Sequence, residues 1–160
     1  MIKPVLIFAY GNPSRGDDAL APLLSERLQQ TGQYGTVDFL IDFQLQIEHA
    51  LDLQQRQLVL FADASVSGPA PFSWQLLSPQ ADNSYTTHAM TPAALLHVYC
   101  EVLPQSLPAC FMLSIRGEQF ELGEPLSDAA EENLQRAGVF CEQLLSNANL
   151  DYWQKMTAPA

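Results

Sequence analysis

With 160 residues, of which 48% are hydrophobic and 16% charged, the chain suffices for one domain around one sizeable core. Its 18 acidic residues against 7 basic ones leave a formal net charge of -11, and the basic residues form no cluster. Phosphate neutralisation is therefore excluded, so neither nucleic acid nor an anionic membrane is an expected partner; no apolar run is long enough to span a bilayer.

The first element is the apolar run PVLIFAY at residues 4–10, closed by Gly11. It lacks a small-residue cleavage site, which favours a first strand over a signal peptide. Continuous hydrophobicity of this kind suits a strand buried on both faces. Leu20, Leu23, Leu24 and Leu28 then recur at helical spacing, with Pro22 tolerable only near the first turn. Residues 37–43 (VDFLIDF) read as a second strand, and Ile47, Ala50, Leu51 and Leu53 as a helical stretch. Residues 58–62 (LVLFA), ending at Asp63, form a third buried strand. Residues 72–77 (FSWQLL) follow a short Gly68-Pro69 connection, which implies an antiparallel partner.

Thr91 and Pro92 open a further helix as N-cap and first residue, running to about Val102, before Pro104. Residues 109–115 (ACFMLSI) make another strand, and Ser127 starts a last helix that reaches about Leu145. This alternation predicts an α/β fold of three layers: a mostly parallel twisted sheet of about five strands with helices on both faces. Residues 1–147 are expected to form the single domain, and residues 148–160 a polar C-terminal tail that Trp153 can fold back onto the body. Cys100, Cys110 and Cys141 are odd in number and widely spaced, with no C-x-x-C, as expected of buried free thiols in a reducing cytosol.

Ligands of such sheets bind at the carboxyl ends of the strands. Three segments fall there: Gly11-Asn12-Pro13-Ser14-Arg15-Gly16-Asp17-Asp18 after strand one, Asp63 after strand three, and Thr86-Thr87-His88 before the Thr91 helix start. Asp18, Asp63 and His88 would thus share one edge, where two carboxylates and an imidazole suit a divalent metal with open positions. Each also has a plainer reading. Asp17 or Asp18 can be a helix N-cap, Asp63 a turn former, and His88 a surface residue. His49 and His97 lie in expected helices and read as structural or surface groups. No G-x-S-x-G, H-E-x-x-H, P-loop or dinucleotide fingerprint is present.

These segments resemble the hydrogenase maturation proteases. Residues 11–19 (GNPSRGDDA) look like the family's opening signature, in which Gly-Asn is followed by an acidic pair, with Ala19 where the family usually has Gly. Phe61-Ala62-Asp63-Ala64 resembles its second acidic motif, and Thr87-His88-Ala89-Met90-Thr91-Pro92 its histidine loop. Residues 42–48 and 116–123 look closest to the subgroup that serves soluble NAD-reducing hydrogenases. The resemblance implies a cytoplasmic endopeptidase that removes the C-terminal extension of a nickel-loaded [NiFe] hydrogenase large-subunit precursor. It implies that Asp18, Asp63 and His88 act both as the catalytic set and as ligands of nickel carried in by the substrate, with no metal held permanently. Polarisation by nickel and general-base action by Asp18 or Asp63 both fit that set. Under the same resemblance Arg15 can orient the incoming tail, Asn12 braces the loop, and Gly11 and Gly16 supply backbone freedom. Two other readings compete: a non-catalytic nickel-dependent checkpoint or chaperone for the same precursor, and a small-molecule hydrolase or phosphorylase on a similar architecture.

Overall fold

A computed structural model of the chain describes residues 1–81 and 90–157. Five strands form one sheet: β1 (Val5–Tyr10), β2 (Val37–Asp42), β3 (Leu58–Ser65), β4 (Phe72–Leu76) and β5 (Ala109–Arg116), in the order β2-β1-β3-β5-β4. The pairs β1–β2, β1–β3 and β3–β5 are parallel, and β4 runs antiparallel to β5. The α/β sheet expected from the alternating pattern is thus present, with its antiparallel strand at one edge. That strand pairs with β5 and not with its chain neighbour β3, because β5 inserts between them.

All six residues of β1 are buried, and strand alternation splits them between two cores. Val5, Ile7 and Ala9 join one cluster with α1 (Leu20–Thr31), α3 (Asp128–Ser146) and Trp153. Leu6, Phe8 and Tyr10 join the other, with the 3₁₀ turns at Ile47–Leu53 and with α2 (Pro92–Val102). Leu20, Leu24 and Leu28 of α1 are buried one turn apart, and α3 offers Ala130, Leu134, Ala137, Cys141 and Leu144 to the same core.

Three elements and the burial of one cysteine differ from the sequence reading. Residues 47–53, expected as a regular helix, wind as 3₁₀ turns capped by Gln46 and His49. Strand β3 continues past Asp63 to Ser65 because Asp63, Ala64 and Ser65 keep pairing with Ser114, Ile115 and Arg116. Asp63 is therefore a strand residue and not a turn former. The residues beyond Asn147 include a short helix, α4 (Leu150–Lys155), whose Trp153 is fully buried. Its indole donates to the Leu144 carbonyl at 2.9 Å and packs edge-on against Trp74 and Phe111. Cys100 is exposed, contrary to the expectation of three buried thiols, because it lies on the outer side of α2; Cys110 and Cys141 are buried.

Candidate functional site

The order of the strands creates a crevice between β1 and β3. From β1 the chain leaves toward β2 on one side, while β3 lies on the other. Strand β1 pairs with β3 only as far as Ala9 and Ala62. Gly11 then donates to the Asp42 carbonyl at 3.1 Å, turning the chain toward β2 and leaving the last residues of β3 open on that side. Such a switch point at the carboxyl ends of parallel strands is where α/β sheets bind ligands.

The pairing registers place Asp42 opposite Tyr10, and Asp63 opposite Ser114. Ala9 pairs with Ala62, so Tyr10 and Asp63 lie at the same level. By alternation, Asp42, Tyr10, Asp63 and Ser114 share the sheet face that carries Leu40, Phe8, Phe61 and Met112. The sequence reading singled out only Asp63 from this row. A carboxylate ending the strand next to β1 was the available signal for Asp42.

Asp18 reaches the crevice from the 3₁₀ turn Gly16–Ala19, which packs against β3. Its carboxylate accepts the Asn12 N–H at 2.7 Å, and Asn12 Oδ1 accepts the Ser14 N–H at 2.9 Å, so Asn12 braces the loop as expected. Gly11 has φ +154, and a Cβ there would overlap the Asp18 carbonyl oxygen, so glycine is required for this approach. Arg15 is exposed at the start of the turn.

The two members of the acidic pair have separate tasks. Neither caps a helix: no side-chain cap bond precedes the turn or α1. Asp17 is fully buried and accepts from the Glu118, Gln119 and Ser127 N–H groups at 2.6, 3.0 and 2.7 Å. The Ser127 hydroxyl also donates to it at 2.7 Å while accepting the Ala130 N–H that begins α3. Burial by itself raises the pKa of Asp17; the four hydrogen bonds outweigh it and hold the carboxyl below its ordinary value. Asp17 thus anchors the loop after β5 under the site, while Asp18 keeps a carboxylate oxygen with spare lone pairs in the half-buried crevice.

Asp63 is half-buried and its Oδ1 accepts the Ala64 N–H at 2.7 Å. Its pKa is pushed up to about 7, mainly by burial and further by the negative charge of Asp18, against the lowering effect of the Ala64 bond. The Asp18 turn packs against β3, and a cation or a proton shared between the two carboxylates would relieve that charge. Burial, with the Asp63 charge added, also holds the Tyr10 phenol well above its ordinary pKa, so it remains a proton donor.

His88 lies outside the described residues. Met90 packs against the cluster containing Phe8 and Phe61, and Thr91 caps α2, its hydroxyl accepting the Ala94 N–H at 3.1 Å. The face of the sheet to which α2 returns is thus the face of Asp63. Among the described residues no group of three or more His, Cys, Asp or Glu side chains is placed to hold a metal ion. His97 is a surface residue 3.5 Å from Glu101. His49 is partly buried, its Nε2 3.1 Å from Asp42 Oδ2 and its ring edge-on to Phe8. Burial pushes both the Cys110 and Cys141 thiols up to about 12, which removes them as nucleophiles.

No protein-family profile matches the sequence, nor does any curated protein. Solved structures do match in fold. Hydrogenase maturating endopeptidase HybD from Escherichia coli superposes with a TM-score of 0.72 at 20% identity, over 91% of this chain and 93% of that one. The [NiFe] hydrogenase maturation protease HycI from Thermococcus kodakarensis gives 0.68 at 20% identity, over 90% and 93%. A hydrogenase 2 maturation peptidase from a Thaumarchaeota archaeon gives 0.65 at 19%, over 89% and 98%. The chain has the fold of these maturation peptidases along nearly its whole length.

Proposed function

We propose that the protein is an endopeptidase of hydrogenase maturation, which removes the C-terminal extension of a nickel-loaded [NiFe] hydrogenase large-subunit precursor. One observation carries this reading: Asp18, in the turn after β1, and Asp63, near the end of β3, come together at the β1–β3 switch point of a fold shared with proteins named for that task. His88 is assigned as the third member, in the loop that leads into α2. Nickel enters with the precursor and is gripped by the two carboxylates and the imidazole. Oxygen and nitrogen donors without thiolate give a modest grip, as a substrate-borne ion requires for release. Binding the cation displaces the proton that Asp63 holds near neutrality and relieves its repulsion with Asp18. With that proton displaced, the Asp63 carboxylate is also suited to take a proton from an attacking water.

The work is assigned to the cytoplasm, and the partner to the NAD-reducing class of soluble hydrogenases, on the resemblance of residues 42–48 and 116–123. The deciding experiment incubates the protein with nickel-loaded and nickel-free precursor and weighs the products by mass spectrometry. Loss of the C-terminal extension only from the loaded precursor is expected. An intact precursor in a stable nickel-dependent complex would establish the checkpoint reading instead, which the lack of a reactive thiol at the crevice keeps in play.

A further inference from the structure

The sheet ends on two edge strands, β2 and β4, and they differ in charge. Strand β2 (VDFLID) carries Asp38 and Asp42, and charged side chains of this kind keep an edge from pairing with another chain. Strand β4 (FSWQL) carries none, and it lies within residues 64–81, a run without Asp, Glu, Lys, Arg or His. In a chain with a formal net charge of -11, this edge lets two copies meet without setting like charges face to face.

The ladder with β5 fixes which backbone groups of β4 are committed. The Arg116 N–H donates to the Pro71 carbonyl at 3.1 Å, and the Leu77 N–H to the Cys110 carbonyl at 2.8 Å. Phe72 stands opposite Ile115 and Leu76 opposite Phe111. Alternation therefore turns the N–H and C=O groups of Ser73 and Gln75 toward β5, and those of Phe72, Trp74 and Leu76 outward. Among the described residues no backbone group pairs with that outer edge. Pro71 faces β5, so its missing N–H falls on the inner side and does not guard the outer one. A cavity of about 250 Å³ is lined by Phe72, Ser73, Trp74 and Gln75 together with Phe140 and Met156. Consecutive strand residues point to opposite faces, so a space that touches all four lies along the edge itself. A second cavity, of about 610 Å³, shares Phe72 and Phe140 with it and reaches Val139 on α3, which is 58% exposed.

This edge is complementary to itself. About a two-fold axis at Trp74, an antiparallel copy sets Trp74 opposite Trp74 and Phe72 opposite Leu76. These are the residues whose backbone groups point outward, so each pair exchanges N–H and C=O bonds and the contact is isologous. Leu76, 46% exposed, then covers Phe72 of the other copy.

We propose that β4 is the contact of a homodimer in which the five-stranded sheets of two copies join edge to edge into one. Strand β5 stands between β4 and the β1–β3 crevice, so both crevices stay open, and the assignment is independent of the peptidase reading. The full chain is followed by sedimentation equilibrium from about 1 to about 500 µM; so short an edge gives an interface below about 1,200 Å², and half-association is expected on the order of 10–100 µM. Raising salt from about 50 to about 500 mM should tighten it severalfold, because salt screens the repulsion between two acidic copies. Leu76→Lys should weaken it about tenfold or more. Val102→Lys, which adds the same charge at a residue 69% exposed on α2, should not weaken it. In the unaltered protein, amide exchange across residues 72–76 should slow as concentration rises, while that across residues 37–42 stays constant. A monomer throughout the range, an association weakened by salt, or protection that appears away from residues 72–76 would overturn the proposal, and none of these three readings requires a variant to fold.

Discussion

Asp17 and Ser127, 110 residues apart, are joined twice: the Ser127 N–H and its hydroxyl each donate to the Asp17 carboxylate at 2.7 Å. The contact ties the loop after the first strand to the start of α3. Removing the carboxylate would strand three backbone N–H donors, those of Glu118, Gln119 and Ser127, in a buried place. Asp17→Ala should cost roughly 3–5 kcal/mol in urea unfolding, whereas Asp18→Ala, with one bond to the Asn12 N–H, should stay within about 1 kcal/mol of wild type. Equal losses at the two positions would contradict the division of labour within the pair.

The stability of the protein should carry the mark of Asp63 between about pH 4 and 7. Its folded pKa, about 7, is raised above the ordinary aspartate value of 3.8. Between those values the folded chain holds a proton that the unfolded chain has released, so stability falls as pH rises through this window and levels off above it. Asp63→Asn removes the penalty and keeps an oxygen for the Ala64 N–H. Its melts should match wild type near pH 4 and exceed it at pH 8, by on the order of 1–3 kcal/mol. A difference independent of pH would show that Asp63 titrates normally.

Asp18, Asp63 and His88 should fail as a unit if one nickel ion is gripped by all three. In cleavage of nickel-loaded precursor, each alanine variant should lose most activity, and paired variants should lose little more than the worse single one. Folding should not depend on metal, since the core is apolar and the assigned ligands include no thiolate. Melts with and without a chelator should coincide. Full cleavage by His88→Ala would remove that residue from the site.

Trp153 should be as important as any strand residue. It is fully buried, bonds to Leu144 and stacks edge-on with two aromatic rings. Trp153→Ala should cost about 3–5 kcal/mol by denaturant unfolding, with cleavage by the surviving folded fraction intact.

Much of this was legible in the chain because burial on both faces leaves a plain trace. The runs at residues 4–10 and 58–62 have no polar interruption, and both proved to be central strands. The helix starts at Thr91 and Ser127 were readable from their caps. What stayed hidden depended on contacts far apart in sequence. Nothing local to Asp17 announces that residues 118, 119 and 127 will surround it, so its task could not be separated from that of Asp18. The end of β3 was misplaced because its last three residues are held by β5, some 50 positions later. Asp42 and His49 looked unremarkable because their 3.1 Å contact depends on the 3₁₀ turns at Ile47–Leu53, which helical spacing did not announce.

Trp74 and Trp153 are the only two tryptophans of the chain, and their rings lie 5.7 Å apart, both in the core layer opposite Asp63. Trp74 also stacks on Phe111 with centroids 5.0 Å apart, and its indole donates to the Trp153 carbonyl at 3.0 Å. The intrinsic fluorescence of the protein therefore comes from a single dry aromatic nest that clamps α4 against the sheet. Its emission should move to longer wavelength as soon as α4 lifts away, while nickel or peptide arriving at the crevice on the other face leaves it unchanged. The molecule thus carries an optical gauge of its own folding that is blind to the occupancy of its site.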